Sequence, residues 1–509
     1  MRGEDRMQED GRVAVAHHAG AVYPELPPFH PATAYPEYPF APDAVSLEPN
    51  DAYALVRESL RLLGLDAARF GMREWNPLGA YIRPGDTVVL KPNWVVHEHR
   101  AGGSLDSVIT HSSIIRAAAD YVWIALKGTG RILVADAPLP SADFGALQDR
   151  TGMAEMAAFL VREGVPLEVR DLRRVLHVYT ADDILGSSSR VPLAGDLEGY
   201  ATVDLGGDSE FAPLGDPSGL YGADYDRQET IRHHLRDRHE YLIARTVLKA
   251  DVIVGLPKMK VHRKVGATLN LKNLVGINGD KNYLPHFQIG APSRGGDEFP
   301  DSIGSAAKTV YALRRRMVDR LLTSGNPALE KAYVLARRGY HVLKHPLGMS
   351  REVIQAGDWY GNDTAWRMVL DLNKILHYAT PDGQMTHRVQ RRFFSVLDGV
   401  VAGEGEGPLV PDSKRCGLVL AGANPLATDL AALRMMGLDW SRLRLYRRAV
   451  ALEKRLLLEG GVAAVRLVSG DPDLIRRSTS ASDRLFALRP PRGWLGNCEF
   501  GGAGEVRAG

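Results

Sequence analysis

The sequence predicts an α/β protein whose mainly parallel sheet is flanked by helices in Rossmann-like layers. Five short aliphatic runs lack a strict alternation of apolar and polar residues, as expected for strands that are covered on both faces. These runs are residues 87–90, 131–135, 251–255, 394–397 and 417–421. Helical patterns lie between several of them, for example at residues 112–126 and 425–436. Strands that alternate with helices indicate a parallel sheet.

The length of 509 residues exceeds one ordinary core, so we expect either two or three domains or one large α/β domain with insertions. We interpret residues 1–45, rich in proline and aromatics, as an extended arm that docks on the body or as a mobile tail. We expect residues 46–303 to be the first part of the core, with an irregular, mixed insertion at about 170–245. Residues 304–390 are interpreted as a basic helical insertion, and residues 391–509 as the second part of the core and a C-terminal tail.

The composition excludes several classes of protein. The 63 basic residues against 61 acidic ones give a net charge of +2, so we expect no dedicated nucleic-acid binding. The two cysteines are too few for a disulfide framework or for a zinc or iron–sulfur site made of cysteines alone. They suit a reducing compartment, and we expect a cytoplasmic protein. No apolar run is long enough for a transmembrane helix.

Polar turns follow all five predicted strands, and in an open parallel sheet ligands bind outside the carboxyl ends of the strands. We therefore expect these turns to converge on one edge of the sheet, although every strand must end in some polar turn. The residues at these ends are Lys91, Asn93 and Asp136, then Lys258 to His262, then Asp398, and finally Asn424, Thr428 and Asp429.

The turn after the third strand, residues 257–286, is the richest. Lys258 and Lys260 are two residues apart, so in an extended segment their side chains point the same way. Other polar residues follow: His262, Lys264, Asn270, Lys272, Asn273, Asn278, Asp280, Lys281 and His286. Crowded lysines repel one another, so a phosphate or carboxylate is the expected partner. Crowding could instead lower a lysine pKa and create a base, and a solvated basic loop is the alternative without function.

Residues 403–408, with the sequence GEGEGP, follow the fourth strand and Asp398. They form neither a Walker A loop nor a G-x-G-x-x-G motif. Glu404 and Glu406 suit a divalent cation, an amine or a general base, and a flexible exposed turn is the alternative. We expect His97 and His99 to be ordinary loop histidines rather than metal ligands.

Two further segments carry open alternatives. Asn362 and Asp363 either line a polar cleft between Trp359 and Trp366 or cap the start of a helix. Residues 304–345 contain two basic helical patterns, which fit an ordinary amphipathic pair or peripheral contact with an anionic membrane.

Five stretches of the chain resemble the family called domain of unknown function 362. They are residues 88–93, 251–262, 268–276, 398–408 and 424–429. The resemblance implies a shared α/β core over roughly residues 85–440 and no assigned reaction. Many members look like iron–sulfur proteins with an appended ferredoxin-like cysteine segment, which this sequence lacks, so we do not expect a cluster here. Residues 278–286 and 361–366 are similar to a cluster-free branch.

Our leading hypothesis is an enzyme that binds an anionic small molecule, phosphorylated or carboxylated, at the strand ends, with a divalent metal left open. The candidate catalytic residues are His262, Asp398 and Glu404. The candidate substrate-binding residues are Lys91, Asn93, Lys258, Lys260, Lys272, Asn273, Asp280, Asn362 and Asp363. One alternative is a non-catalytic protein at a membrane surface or in a larger assembly. Another is a redox protein whose cluster or flavin is not held by its own cysteines.

Overall fold

The structure is a computed structural model that describes residues 11–41, 44–177, 190–222, 227–304, 308, 356–480, 483 and 485–501. The strands are β1 (Arg12–His17), β2 (Thr87–Pro92), β3 (Arg131–Asp136), β4 (Leu167–Asp171), β5 (Val175–His177), β6 (Arg190–Pro192), β7 (Tyr200–Asp204), β8 (Leu220–Gly222), β9 (Glu240–Ala244), β10 (Val252–Leu256), β11 (Lys258–His262), β12 (Gly266–Thr268), β13 (Pro285–Gln288), β14 (Arg392–Glu406), β15 (Val410–Gly422) and β16 (Arg466–Val468). The helices are α1 (Asp51–Leu62), α2 (Ser112–Leu126), α3 (Phe144–Arg150), α4 (Met153–Arg162), α5 (Arg227–His233), α6 (Arg245–Leu248), α7 (Asn270–Asn273), α8 (Ala365–Tyr378), α9 (Pro425–Met436), α10 (Arg444–Val450) and α11 (Pro472–Thr479).

A ten-stranded sheet has the order β16-β1-β15-β14-β10-β2-β3-β4, with β11 paired to β14 and β12 paired to β11. The neighbours from β14 to β4 are all parallel, and β15 is antiparallel to both β1 and β14. All five predicted strands lie in this sheet, and helices cover it on both faces. The predicted α/β class with a mainly parallel sheet is confirmed.

Alternate side chains of the central strands enter two different cores, which explains why these strands read as continuous apolar runs. Val89 and Ile253 pack with Val369 of α8 on one face. Val88, which precedes Val89 in β2, packs with Ile115 of α2 on the opposite face. Both faces are therefore withdrawn from water, and the functional groups are left at the strand ends.

The expectation that all five polar turns meet at one edge is wrong for the fifth turn. β14 and β15 form an antiparallel hairpin in which Gly422, at the end of β15, pairs with Ser395 near the start of β14. The hairpin reverses the chain direction, so Asn424 follows β15 at the opposite edge of the sheet. Helix α9 then runs from this turn and carries Asp429, whose carboxylate accepts hydrogen bonds from the start of α7.

Three segments were predicted to lie outside the central layers: the N-terminal arm, the irregular insertion and the basic helices. Within the predicted arm, residues 12–17 form β1 and pair with β15 and β16. The region predicted as an irregular insertion contributes two two-stranded sheets, β5–β6 and β7–β9, and its strand β8 pairs with β13, which lies outside it. The predicted basic helices at 304–345 lie outside the described residues apart from Gly304 and Lys308. No helix in the described ranges is both long and apolar enough to cross a bilayer.

Candidate functional site

A small cavity of about 70 Å³ lies at the ends of β2, β3 and β11, next to the short helix α7. We call it the strand-end cavity. Its polar lining residues are Asn93, Trp94, Asp136, Lys260, His262, Thr268, Lys272, Asn273 and Lys281. A space of 10–15 Å³ on this measure holds one water, so the cavity accommodates about five waters or one small anionic group.

One wall of the cavity is a buried ion pair between the ends of two neighbouring strands. Lys91 Nζ lies 2.8 Å from Asp136 Oδ1, and the other carboxylate oxygen of Asp136 accepts the Trp94 amide at 2.7 Å. The pair sits against Gly276, where a Cβ atom would lie 1.8 Å from Asp136 Oδ1 and 2.6 Å from Lys91 Nζ. Only glycine allows the chain to approach this pair so closely, and Gly276 thereby closes the cavity wall.

The short helix α7 brings Lys272 and Asn273 to the cavity. Asp429 accepts hydrogen bonds from the backbone amides of Asn270 and Leu271 at 2.7 and 2.9 Å, so it caps the helix that carries both residues. Asn273 then bridges to β2, because its Nδ2 donates to Lys91 O at 2.9 Å and its Oδ1 accepts from Lys91 Nζ at 3.2 Å. The backbone position of Lys272 is therefore set from both sides.

The lysines of the cavity outnumber its carboxylates. Lys260 Nζ donates only to the carbonyl oxygens of Val108 and Pro408 within the described chain, and Lys272 Nζ has no hydrogen-bond or ion-pair partner there. Lys281 Nζ donates to Ala137 O at 2.9 Å and to Val275 O at 3.1 Å. Asp136 is the single carboxylate among the lining residues and is already paired with Lys91.

Burial and mutual repulsion set the protonation of these lysines. Burial lowers the pKa of Lys272 to about 7, and the charges of Lys281 and Lys264 add to the effect. Burial lowers the pKa of Lys281 to about 8, although Asp136 opposes this shift. Burial also lowers the pKa of Lys260 well below its usual value, with Lys258 and Lys272 contributing. A buried ammonium without a counter-ion gives up its proton more easily than one in water.

Two histidines lie in the same basic environment. Burial and the nearby Lys272 hold the pKa of both His262 and His286 well below the ordinary range, so both rings are neutral at pH 7. His262 Nδ1 accepts the Lys264 amide at 3.0 Å, which makes its Nε2 the protonated nitrogen. His286 Nδ1 lies 2.8 Å from Leu284 O and donates to it.

Several polar atoms of residues around the cavity are buried and have no hydrogen-bond partner in the described part of the chain. They are Asn93 Oδ1, Trp94 Nε1 and Thr268 Oγ1, all on lining residues. A buried polar group without a partner costs about 1–3 kcal/mol, and such groups are rare in native proteins. These atoms lie on residues of the same lining as Lys272, whose ammonium also lacks a partner among the described residues.

Lys258 and Asp398, both predicted to act at the site, pair with each other. Lys258 Nζ lies 3.0 Å from Asp398 Oδ2, and both side chains are fully buried. Tyr23, from the N-terminal arm, accepts from Lys258 at 2.8 Å and donates to Asp398 Oδ1 at 2.5 Å. The His111 amide also donates to Asp398. Neither Lys258 nor Asp398 is among the residues that line the strand-end cavity.

The structure brings Asn93, Lys260, His262, Lys272 and Asn273 of the predicted site together in the cavity lining and places Lys91 behind that lining, against Asp136 and Asn273. It separates four other predicted residues from them. Glu404 pairs with Lys414 at 3.2 Å on the β14–β15 hairpin. Asp280 pairs with Arg174 at 2.7 Å. Asn362 Oδ1 caps α8 through the amides of Thr364 and Ala365, and Asp363 pairs with Arg367 and Arg444. The alternative of a capped helix start thus describes the contacts of Asn362.

The predicted set of site residues omitted four polar residues of the lining, Trp94, Asp136, Thr268 and Lys281. Asp136 and Trp94 stand at or just after strand ends, a signal already visible in the sequence. Thr268 carries no such signal, because only the β11–β12 hairpin brings it opposite Lys260. Within the described ranges, no group of three or more histidine, cysteine or carboxylate side chains is arranged to hold a metal ion.

Two comparisons, one with curated protein sequences and one with solved structures, give little similarity to this chain. No curated protein matches the chain in sequence. One solved structure, a Thermotoga maritima protein determined by a structural genomics consortium, shares 11% identity with a TM-score of 0.28. That match covers 69% of this chain and 54% of the other, so this chain spans about half the length of that protein.

A family model described as domain of unknown function (DUF362) matches residues 209–434. The matched region includes β11, which supplies Lys260 and His262, and α7, which supplies Lys272 and Asn273. It also includes four of the five stretches that carried the sequence resemblance, all except residues 88–93. Similarity to a cluster-free branch stays a prediction. The chain therefore contains a DUF362 domain, and that domain contributes most of the charged lining of the strand-end cavity.

Proposed function

We propose that this protein is an enzyme that binds the anionic group of a small phosphorylated or carboxylated molecule in the strand-end cavity. The observation that carries the proposal is the excess of lysines over carboxylates in the lining of a buried space. An anion would offset the repulsion between Lys260 and Lys272.

The proposed chemistry is proton transfer next to the bound anion. Lys272, with a pKa of about 7 in the free protein, exchanges its proton at neutral pH and can serve as a general base or acid. Binding of an anion would stabilise the charged form and raise this pKa. His262 presents its Nε2–H as a neutral donor, in keeping with its predicted place at the site. Lys91 and Asn273 hold the wall in position.

The contacts of the other predicted residues favour supporting roles. The carboxylate of Asp398 is engaged by Lys258, Tyr23 and the His111 amide, so we propose that Asp398 holds the middle of β14 against the arm rather than transferring protons. The contacts of Glu404 with Lys414 likewise favour a role in the hairpin. The membrane-surface and redox alternatives gain no support from the described residues.

Titration of the purified chain with inorganic phosphate, followed by calorimetry, tests the binding part of this proposal. We expect saturable binding to the native protein and loss of binding in Lys272→Met. Lys414→Met, which removes a lysine outside the cavity, is the matched control and should bind as the native protein does. Equal loss in both variants, or equal binding in both, would contradict the assignment. Incubation with a panel of phosphomonoesters and carboxylic acids, read by mass spectrometry, then tests for turnover.

A further inference from the structure

Three lysines line the strand-end cavity, and Lys272 differs from the other two. Lys260 and Lys281 each donate from Nζ to backbone carbonyl oxygens, which hold the two nitrogens in place. Lys272 Nζ has no hydrogen-bond or ion-pair partner in the described part of the chain. Its nitrogen is therefore free to turn towards a bound molecule.

A molecule in the cavity can reach Lys272 more readily than Lys260. Lys272 is 8% exposed, whereas Lys260 is fully buried. The Lys272 nitrogen also keeps accessible surface of its own, since it is not one of the enclosed polar atoms that lack a partner. Trp94 Nε1 and Thr268 Oγ1, on residues of the same lining, are enclosed in this sense. Lys272 thus presents an unpartnered nitrogen to the space of the cavity.

The surroundings of Lys272 keep part of its amine neutral at pH 7. Burial is the main cause of its lowered pKa of about 7, and the charges of Lys281 and Lys264 contribute. About half of the Lys272 side chains are then neutral at pH 7, compared with fewer than about one in a thousand for a lysine in water. A neutral lysine in a desolvated site beside other cationic groups is the form that attacks a carbonyl carbon.

The other polar groups of the lining favour an acid group next to such a carbonyl. Lys281, whose pKa is lowered to about 8, is mostly protonated at pH 7 and supplies a positive charge. His262 adds a neutral Nε2–H donor. Asp136, the single carboxylate of the described lining, is paired with Lys91, so no free negative charge of the lining opposes a bound carboxylate.

The size and the apolar walls of the cavity limit the rest of the molecule. Val95, Pro138, Leu139, Val275 and Pro408 line the same space. Their side chains can cover a short hydrocarbon end. A volume of about 70 Å³ leaves room for only a few atoms beyond the acid group.

We propose that Lys272 is a nucleophile that forms an imine with the ketone carbon of a short-chain keto acid held in the strand-end cavity. This inference rests on the proposed function, because the carboxylate of the keto acid is the anion of that proposal. It names the substrate class, and it gives Lys272 a covalent role in addition to proton exchange.

The step needs no group beyond those of the cavity and the keto acid. The neutral Lys272 nitrogen attacks the carbonyl carbon, and the π electron pair of the C=O bond moves to the oxygen. The nitrogen then gives one proton to that oxygen, which becomes a hydroxyl group. A second proton, from the Lys281 ammonium, converts the hydroxyl into water, which leaves as the nitrogen lone pair forms the C=N bond. The products are one water, a protonated imine and neutral Lys281, and no atom is oxidised or reduced.

Reductive trapping tests this step on the full chain at pH 7. Sodium cyanoborohydride reduces an imine with pyruvate to a stable carboxyethyl-lysine, which peptide mapping by mass spectrometry locates. We expect labelling of Lys272 to be at least about tenfold faster than that of any exposed lysine, because far more of its amine is neutral. Inorganic phosphate should slow this labelling. Acetone, which has the ketone without the acid group, should label Lys272 at least about tenfold more slowly than pyruvate does.

Two variants separate the covalent role from anion binding. Lys272→Arg keeps the positive charge but has no amine that forms an imine, so it should still bind phosphate in calorimetry and should gain no carboxyethyl group under the same conditions. Lys414→Met, which removes a lysine outside the cavity, should be labelled as the native protein is. Thermal melts of both variants check folding.

The outcomes distinguish this inference from the proposed function. Phosphate binding by the native protein without a trapped pyruvate adduct would overturn the covalent role and leave the anion site in place. Labelling of Lys272 no faster than that of exposed lysines, or equal labelling by acetone, would also overturn the inference. Absence of both phosphate binding and labelling would refute the proposed function, and this inference with it.

Discussion

Replacement of Lys272 by methionine should make the protein more stable while removing its anion binding. Lys272 is 8% exposed and, within the described residues, its ammonium has no partner, so its charge is desolvated without compensation. The lowering of its pKa from 10.5 to about 7 corresponds to about 4–5 kcal/mol at 1.36 kcal/mol per pKa unit. Methionine has a similar length and fills the same space without a charge.

The direction of the pH dependence follows from proton uptake. The unfolded lysine keeps its proton up to about pH 10.5, whereas the folded one loses it near pH 7. Between these values the unfolded state binds more protons, so the free energy of unfolding rises with pH. Below pH 7 the full cost is present in the native protein. The gain from Lys272→Met should therefore be about 2–4 kcal/mol at pH 6.5 and should shrink towards zero near pH 10.

Urea denaturation followed by tryptophan fluorescence at pH 6.5 and pH 9.5 measures this difference. Lys281→Met is the matched comparison, because Lys281 donates to the carbonyl oxygens of Ala137 and Val275. The loss of these hydrogen bonds costs about 1–3 kcal/mol and offsets the gain from removing a desolvated ammonium, whose pKa is lowered to about 8, so Lys281→Met should stabilise the fold less than Lys272→Met does. Destabilisation by Lys272→Met of similar size at both pH values would refute the reasoning.

Three further outcomes are expected. Gly276→Ala should destabilise the fold by at least about 3 kcal/mol and abolish phosphate binding, because the added Cβ would lie 1.8 Å from Asp136 Oδ1. Thermal melts measure the loss of stability, and calorimetry measures the loss of binding. Tyr23→Phe removes the hydroxyl between Lys258 and Asp398 and should cost about 1–3 kcal/mol in urea denaturation, with phosphate affinity unchanged. Native affinity of sulfate, whose charge is constant from pH 5 to 10, should fall about tenfold per pH unit above pH 7 in calorimetry, because Lys272 must regain a proton; pH-independent affinity would contradict this.

Much of the sheet was predictable because each central strand has a local signature. Residues 87–90, 131–135 and 251–255 are continuous aliphatic runs, and both of their faces are buried between helices. Strand direction was not predictable in the same way. The runs at 394–397 and 417–421 look alike, yet β15 is reversed because a short hairpin joins it to β14. A run of residues carries no sign of the direction in which its neighbour runs.

The limits of the site prediction have a similar cause. Lys258 and Lys260 lie two residues apart on β11 and are equally buried. A register shift in the pairing of β11 with β14 falls between them, so the two lysines have different neighbours. Lys258 meets Asp398 and the arm residue Tyr23, which is far away in the sequence. Lys260 meets only carbonyl oxygens among the described residues. Whether a lysine has a counter-ion depends on contacts across hundreds of residues.

Local periodicity and composition were enough to predict the α/β class, the strands of the central layers and the concentration of lysines after β10. Which of the charges are neutralised depends on the fold. It paired Lys91 with Asp136 and Lys258 with Asp398, and it left Lys272 buried without a partner among the described residues. Electrostatic energy depends on distance and burial in the folded chain, and neither can be read from spacing along the sequence.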